Sequence, residues 1–186
     1  MMTEKKRYTL KEMLLPDNLH ESDELMMLRE NPIELIDRGY EYLDKCEYAK
    51  AFNIFKAGAE IDRADPDILN GLGIALCEMG LLEEAKKVLE YAIIKNPEDP
   101  IIYANMAGVM WEECDFNNEI YYYSKSIEFD PGIEETFFNL INLYMETGML
   151  FMALITCGRF IEQFPDNDEA LALRDDIILN LGISII

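Results

Sequence analysis

Few side chains in this chain are spaced to do chemistry. The single histidine, His20, has no second histidine and no cysteine near it in sequence, and both a metal site and a catalytic imidazole need partners that orient the ring. Cys46, Cys77, Cys114 and Cys157 lie 31, 37 and 43 residues apart, which is neither a zinc-ligand nor a redox-motif spacing. They read as free, partly buried thiols of a reducing compartment. The carboxylate pairs Glu83-Glu84, Glu112-Glu113 and Glu134-Glu135 sit in helical patterns, where neighbours point about 100° apart and cannot share a substrate. Gly71-Leu72-Gly73 also lies inside a helical pattern, without the preceding strand that a phosphate loop needs. With no nucleophile–base pair, the chain reads as a non-enzyme with no metal and no cofactor. What remains is recognition chemistry: one tryptophan, Trp111, and amides such as Asn70 and Asn142, which can bond a peptide backbone.

The elements that hold these residues follow a period. Gly39, Gly73, Ala107 and Ile141 are 34 residues apart, as are Ala51, Ala85, Glu119 and Ala153, and Phe55, Leu89, Tyr123 and Cys157. Asn31-Pro32, Asp65-Pro66 and Asp99-Pro100 keep the same step. An Asn or Asp before Pro predicts a helix start, because the side chain caps free N–H groups and Pro fits the first helical position. A break follows about sixteen residues later, at Lys45-Cys46-Glu47, Met79-Gly80-Leu81, Cys114-Asp115-Phe116 and Thr147-Gly148-Met149. A second apolar stretch then runs toward Pro97, Pro131 or Pro165, where a helix should stop. Small residues at Gly39, Gly73, Ala107, Ala51, Ala85 and Ala153 let two helices approach. Leu35, Leu69, Phe55, Leu89 and Tyr123 fill the layer between them. Such a helix pair cannot bury its apolar face alone and must stack on its neighbours.

Composition narrows the partners. Half of the 186 residues are apolar, and 37 acidic against 16 basic residues leave a formal charge of −21. From Pro100 onward only Lys125, Arg159 and Arg174 oppose fifteen acidic residues. A chain this acidic repels phosphate backbones and anionic lipid, so neither nucleic acid nor membrane is expected as a partner. No run reaches the length of a membrane span, and Met13-Leu14-Leu15 before Pro16 is too short for a signal-peptide core. The expected location is cytoplasmic.

The 34-residue unit with these small, large and Pro positions resembles the tetratricopeptide repeat family. The resemblance covers Pro32 to Asn167, in units 32–65, 66–99, 100–133 and 134–167; in the second, Leu72, Gly73, Leu76, Gly80, Ala85, Leu89, Ala92 and Pro97 all stand in the family's places. It implies an all-α, right-handed superhelical solenoid of four helix pairs, with an N-terminal extension (1–31) and a C-terminal capping helix and apolar tail (168–186). It also implies that first helices line a concave groove for a peptide. Carried over, the groove positions are Ile33, Ile36, Tyr40 and Leu43, then Asn70, Ile74 and Cys77, then Ile101, Ala104 and Trp111, then Phe138, Asn142 and Met145. Trp111 at such a face is either an anchor for a partner or packing between units. The clamp by which cochaperones of the family grip an acidic C-terminus is absent: Ile36, Tyr40, Gly71, Ile101 and Asn105 hold its positions without a cation.

The implied function is an adaptor or chaperone that binds an apolar or amphipathic segment with basic flanks. A self-associating structural protein is the competing class, and type III secretion chaperones of the family are a further likeness in size and charge. Two departures stand out. Ile141 and Phe160 occupy usually small positions, and Glu119 stands in a tight seam, where an unpaired carboxylate costs several kcal/mol; Glu119 should therefore reach solvent or a donor. At the ends, Ser22 is placed to cap a short helix through Leu28, and Asp168 a last one to about Asn180. The extension pads the first unit, mediates dimerisation or plugs the groove. The apolar C-terminus either folds back or forms an interface.

Overall fold

Each Asx-Pro dipeptide starts a helix, as its chemistry dictates. The computed structural model describes residues 31–62 and 65–182; His20, the Ser22 helix and Ile183, Ile185 and Ile186 lie outside them. The Asn31 side chain accepts from the Glu34 N–H at the start of α1 (Pro32–Asp44), and Asp65 from Ile68 at the start of α3 (Pro66–Glu78). Asp99 accepts from both Ile101 and Ile102 at the start of α5 (Pro100–Glu112). Their partner helices are α2 (Tyr48–Ile61), α4 (Leu82–Lys95) and α6 (Phe116–Phe129). The fourth pair, α7 (Glu134–Glu146) and α8 (Leu150–Gln163), begins without a side-chain cap, at Ile133. α9 (Asp168–Asn180) follows, and its cap differs from expectation. Asn167, one residue earlier than Asp168, accepts the Ala170 N–H at 2.9 Å, which leaves Asp168 as the first helical residue. Among the described residues the fold is all-helical, as the repeat implied, and no helix is long and apolar enough to cross a membrane.

The breaks between paired helices share one backbone device. Cys46, Gly80, Cys114, Gly148 and Gly182 all have positive φ, between 56° and 77°, and they lie 34 residues apart. Where the next residue is described, its N–H reaches back to a carbonyl five residues earlier: Glu47 to Tyr42, Leu81 to Leu76, Asp115 to Met110 and Met149 to Tyr144. This is the left-handed cap that satisfies the last carbonyls of a helix. Gly182, just after α9, has the same left-handed backbone, so α9 ends as the first helices of the four pairs do. Glycine adopts this backbone freely, whereas any Cβ costs about 1–2 kcal/mol there. Cys114 is exposed, so Cys114→Gly should raise the stability by about 1 kcal/mol in urea unfolding.

The chain divides into two compact units, up to Glu98 and from Asp99. In the first, α1 packs on α2 and α3, α2 on α3, and α3 on α4. The fully buried Phe55 is held between two glycines. A Cβ on Gly39 would stand 2.5 Å from Phe55 Cζ, and one on Gly71 would stand 2.2 Å away. Gly71→Ala should therefore lower stability by about 1–3 kcal/mol through overpacking, even though alanine favours a helix; an unchanged urea midpoint would show that the ring can move aside. In the second unit, α5 packs on α6, α6 on α7, α7 on α8 and α8 on α9. Its core gathers Tyr123, Ile127, Phe137, Leu140, Ile141, Cys157, Phe160, Ala170 and Ile177. At the C-terminal end Leu173 and Leu181 pack against this core, while Leu179 stays 76% exposed.

Candidate functional site

The groove positions of the first unit are partly spent on the fold itself. Asn70 is buried, and its amide donates to the Tyr40 hydroxyl at 3.3 Å; that hydroxyl in turn donates to the Asp67 carbonyl at 3.2 Å. The amide expected to meet a peptide backbone thus works inside the unit. Tyr40 lies edge-on to Phe55, with ring centroids 5.2 Å apart, and Leu43 packs on the same core. Ile36, Ile74 and Cys77 are half-buried, and Ile33 is exposed.

The second unit keeps more of its positions available. Ile101 and Asn142 are exposed, Ala104 is half-buried, and Trp111 is 56% exposed. Phe138 and Met145 are half-buried against the core, with Phe138 edge-on to Phe160 at 4.8 Å. Between α5, α6 and α7 lies a pocket of about 290 Å³ lined by Trp111, Glu119, Tyr123, Asn139, Asn142, Leu143 and Glu146. Of the groove residues read from sequence, it brings together Trp111 and Asn142.

Glu119 lines the pocket from the first turn of α6. One of its oxygens does not reach the solvent or donor expected of it: the residue is 3% exposed, and its Oε2 is buried without a hydrogen-bond partner. The seam accommodates it by favouring the neutral acid. Burial, and secondarily the Glu146 carboxylate, push its pKa up to about 7. The proton is thus held well above the pH at which an ordinary glutamate releases it. The Tyr123 hydroxyl is pushed up to about 12, first by burial and then by Glu119 and Glu135, against a hydrogen bond from Asn139, so it remains neutral. Among the described residues no cluster of His, Cys, Asp and Glu is placed to hold a metal ion.

Asn139 and Glu146 lie on a first helix but outside the positions that the repeat resemblance assigns to the groove. A signal for Glu146 was present. Asp44, Glu78, Glu112 and Glu146 are 34 residues apart, and each is the last residue of its helix. A helix C-terminus disfavours a negative charge by about 0.3–1 kcal/mol. An acid at that place in all four helix pairs is not explained by helix stability.

Residues 42–117 match a family model described as a tetratricopeptide repeat. The human protein O-mannosyl-transferase TMTC3 is 28% identical over 103 residues, 55% of this chain and 11% of that protein. The chain spans between 11% and 20% of the length of the curated relatives it matches. Among solved structures, YrrB, described as a tetratricopeptide protein with an unusual peptide-binding site, superposes with a TM-score of 0.61 at 19% identity, covering 84% of this chain and 82% of YrrB. The first such domain of Spaghetti, solved with the HSP90 peptide SRMEEVD, gives 0.58 at 15% identity over 64% of this chain and 94% of that one.

Proposed function

This chain is a tetratricopeptide-repeat protein, and from that premise we propose that it works as a non-catalytic module, adaptor or chaperone, that holds a segment of another protein through its repeats. The observation that carries the reading is the open pocket of the second unit. A half-exposed tryptophan and an exposed amide flank it, and a large exposed aromatic beside unspent polar groups is the usual form of a binding anchor. Solved relatives described with peptide sites support a peptide as the occupant. The charge argues for a different peptide from the acidic one bound to Spaghetti: fifteen acidic residues against three basic ones from Pro100 onward favour apolar anchors with basic flanks, steered electrostatically.

A peptide array tests this. Sequences with Leu or Phe anchors flanked by Lys and Arg should bind the wild type, lose affinity as salt rises, and bind the Trp111→Ala/Asn142→Ala variant weakly. Equal binding of acid-flanked peptides would overturn the charge reading, and an unchanged double variant would move the site away from the pocket. Self-association through α9 is a second reading, favoured by the exposure of Leu179. Light scattering that shows a monomer at high concentration would remove it.

A further inference from the structure

Glu119 is a buried acid whose Oε2 has no partner, and it opens onto space that nothing in the second unit fills. A buried polar atom left unpaired costs about 1–3 kcal/mol, more for a charged group. No cation of this chain lines the pocket, and two of the second unit's three, Lys125 and Arg174, pair with Glu128 and Asp175, each at 2.8 Å. The pocket walls supply what a delocalised cation needs. Trp111 offers the most favourable aromatic face for a cation, Glu119 and Glu146 offer carboxylates, and Asn139 and Asn142 carry amide oxygens. At about 290 Å³ the space lies just below the range of small-molecule sites, roughly 300–1,000 Å³, and suits one long side chain.

We propose that this pocket is a subsite for one arginine side chain of a partner protein, the guanidinium lying against Trp111 with Glu119 and Glu146 as counter-charges and Asn139 and Asn142 as further acceptors. The guanidinium has five N–H donors in a planar fork, is more weakly hydrated than an ammonium and stacks on aromatic rings. That matches several acceptors and an aromatic wall better than the point charge of lysine does. The proposal rests on the protein-binding reading and names the chemistry that one of its basic flanks would meet. It also assigns a role to the misplaced acid: the guanidinium supplies the donor that Glu119 lacks.

Binding is tied to ionisation. The groups around Glu119 are Glu146 on α7 and Tyr123 on its own helix, with Trp111 the contribution of α5. Tyr123 stays neutral, so Glu119, at about 7, dominates the change near neutrality. An arginine must find it deprotonated, so affinity should fall about tenfold between pH 8 and pH 6, and binding should release a fraction of a proton that grows as the pH falls.

The probe is N-acetyl-arginine methylamide, with the neutral isostere N-acetyl-citrulline methylamide beside it. Trp111, the chain's only tryptophan, reports through its fluorescence, and calorimetry reads the proton. The arginine compound should bind saturably and the citrulline compound should not. Glu119→Gln, its helicity checked by circular dichroism, should bind at least about tenfold more weakly and without the pH dependence. Asp166→Asn removes one exposed acid outside the pocket and should leave binding unchanged. Citrulline binding as well as arginine, Glu119→Gln matching the wild type, or no saturable response would each overturn the proposal. Free arginine binding more tightly than the blocked form would overturn the protein-borne source. Because the probe is a single blocked residue, its failure leaves the peptide-array result standing, and the converse also holds.

Discussion

Phe160→Ala should lower the folding stability by about 3–5 kcal/mol, although it installs the small residue usual for the family at that position. The position recurs as Gly58, Ala92, Ser126 and Phe160, and what faces it changes in compensation. A Cβ on Gly58 would meet Ile68 Cδ1 and Leu35 Cδ2, both at 2.9 Å. Two repeats on, Ser126 and Thr136 are ten residues apart, as Gly58 and Ile68 are, and their hydroxyl oxygens are 3.4 Å apart in the core. At the C-terminal end the order is reversed, with Phe160 and Ala170 both fully buried in one cluster. Phe160 stacks on Phe137 at 5.1 Å and lies edge-on to Phe138 and Phe164 at 4.8 and 5.3 Å. Truncating it leaves a cavity that three other rings cannot all close. Ala170→Ile alone should overpack the same space and cost about 1–3 kcal/mol, while the double variant should lose clearly less than the sum of the two. Urea unfolding of all four proteins measures the coupling. A Phe160→Ala loss below about 1 kcal/mol, or strict additivity, would show that the two positions do not share one volume.

The parts of this fold that were legible in the sequence are those set by local chemistry repeated at one period. Asn31, Asp65 and Asp99 cap helices because a short acceptor before proline can do little else at a helix start. The turn positions were legible as breaks, but not as left-handed backbone, because Cys46 and Cys114 stand where glycine usually marks that conformation. The site was less legible because its geometry depends on contacts between helices. Asn70 meets the Tyr40 hydroxyl across thirty residues; periodicity puts both on first helices, without saying which polar group satisfies which. Glu119 was visible as a misfit, since a carboxylate does not belong in a column of alanines. Asn139 and Glu146, which wall its pocket, were invisible to that argument, because the pocket exists only once α7 has packed on α6.

Glu119→Gln should stabilise the protein at pH 8 and leave it nearly unchanged at pH 4. The sign follows from the direction of the shift. The folded state holds the Glu119 proton up to about pH 7, whereas an unfolded glutamate releases it near 4.5. Between those values the native state binds more protons than the unfolded one, so stability falls as pH rises, and the loss is complete above about 7. At about 1.4 kcal/mol per pH unit the full span is at most about 3 kcal/mol; solvent entering the open pocket screens it, so about 1–3 kcal/mol is expected, or roughly 2–12 °C in melting temperature for a chain of this size. Glutamine keeps the shape of the protonated acid and never ionises, so it is spared this loss. Carboxylates that do not interact with residue 119 cancel between the two proteins, so the difference between the pH profiles reports residue 119 and the groups coupled to it. Melting curves from pH 4 to pH 8 should diverge from near 4.5 upward, with the variant higher. Parallel profiles would mean that the carboxylate finds a donor or water when it ionises. A positive result carries a further consequence: wild-type stability at pH 8 is limited by a charge that one substitution removes. An acid retained at that expense is better explained by a ligand that needs it than by the packing of the seam.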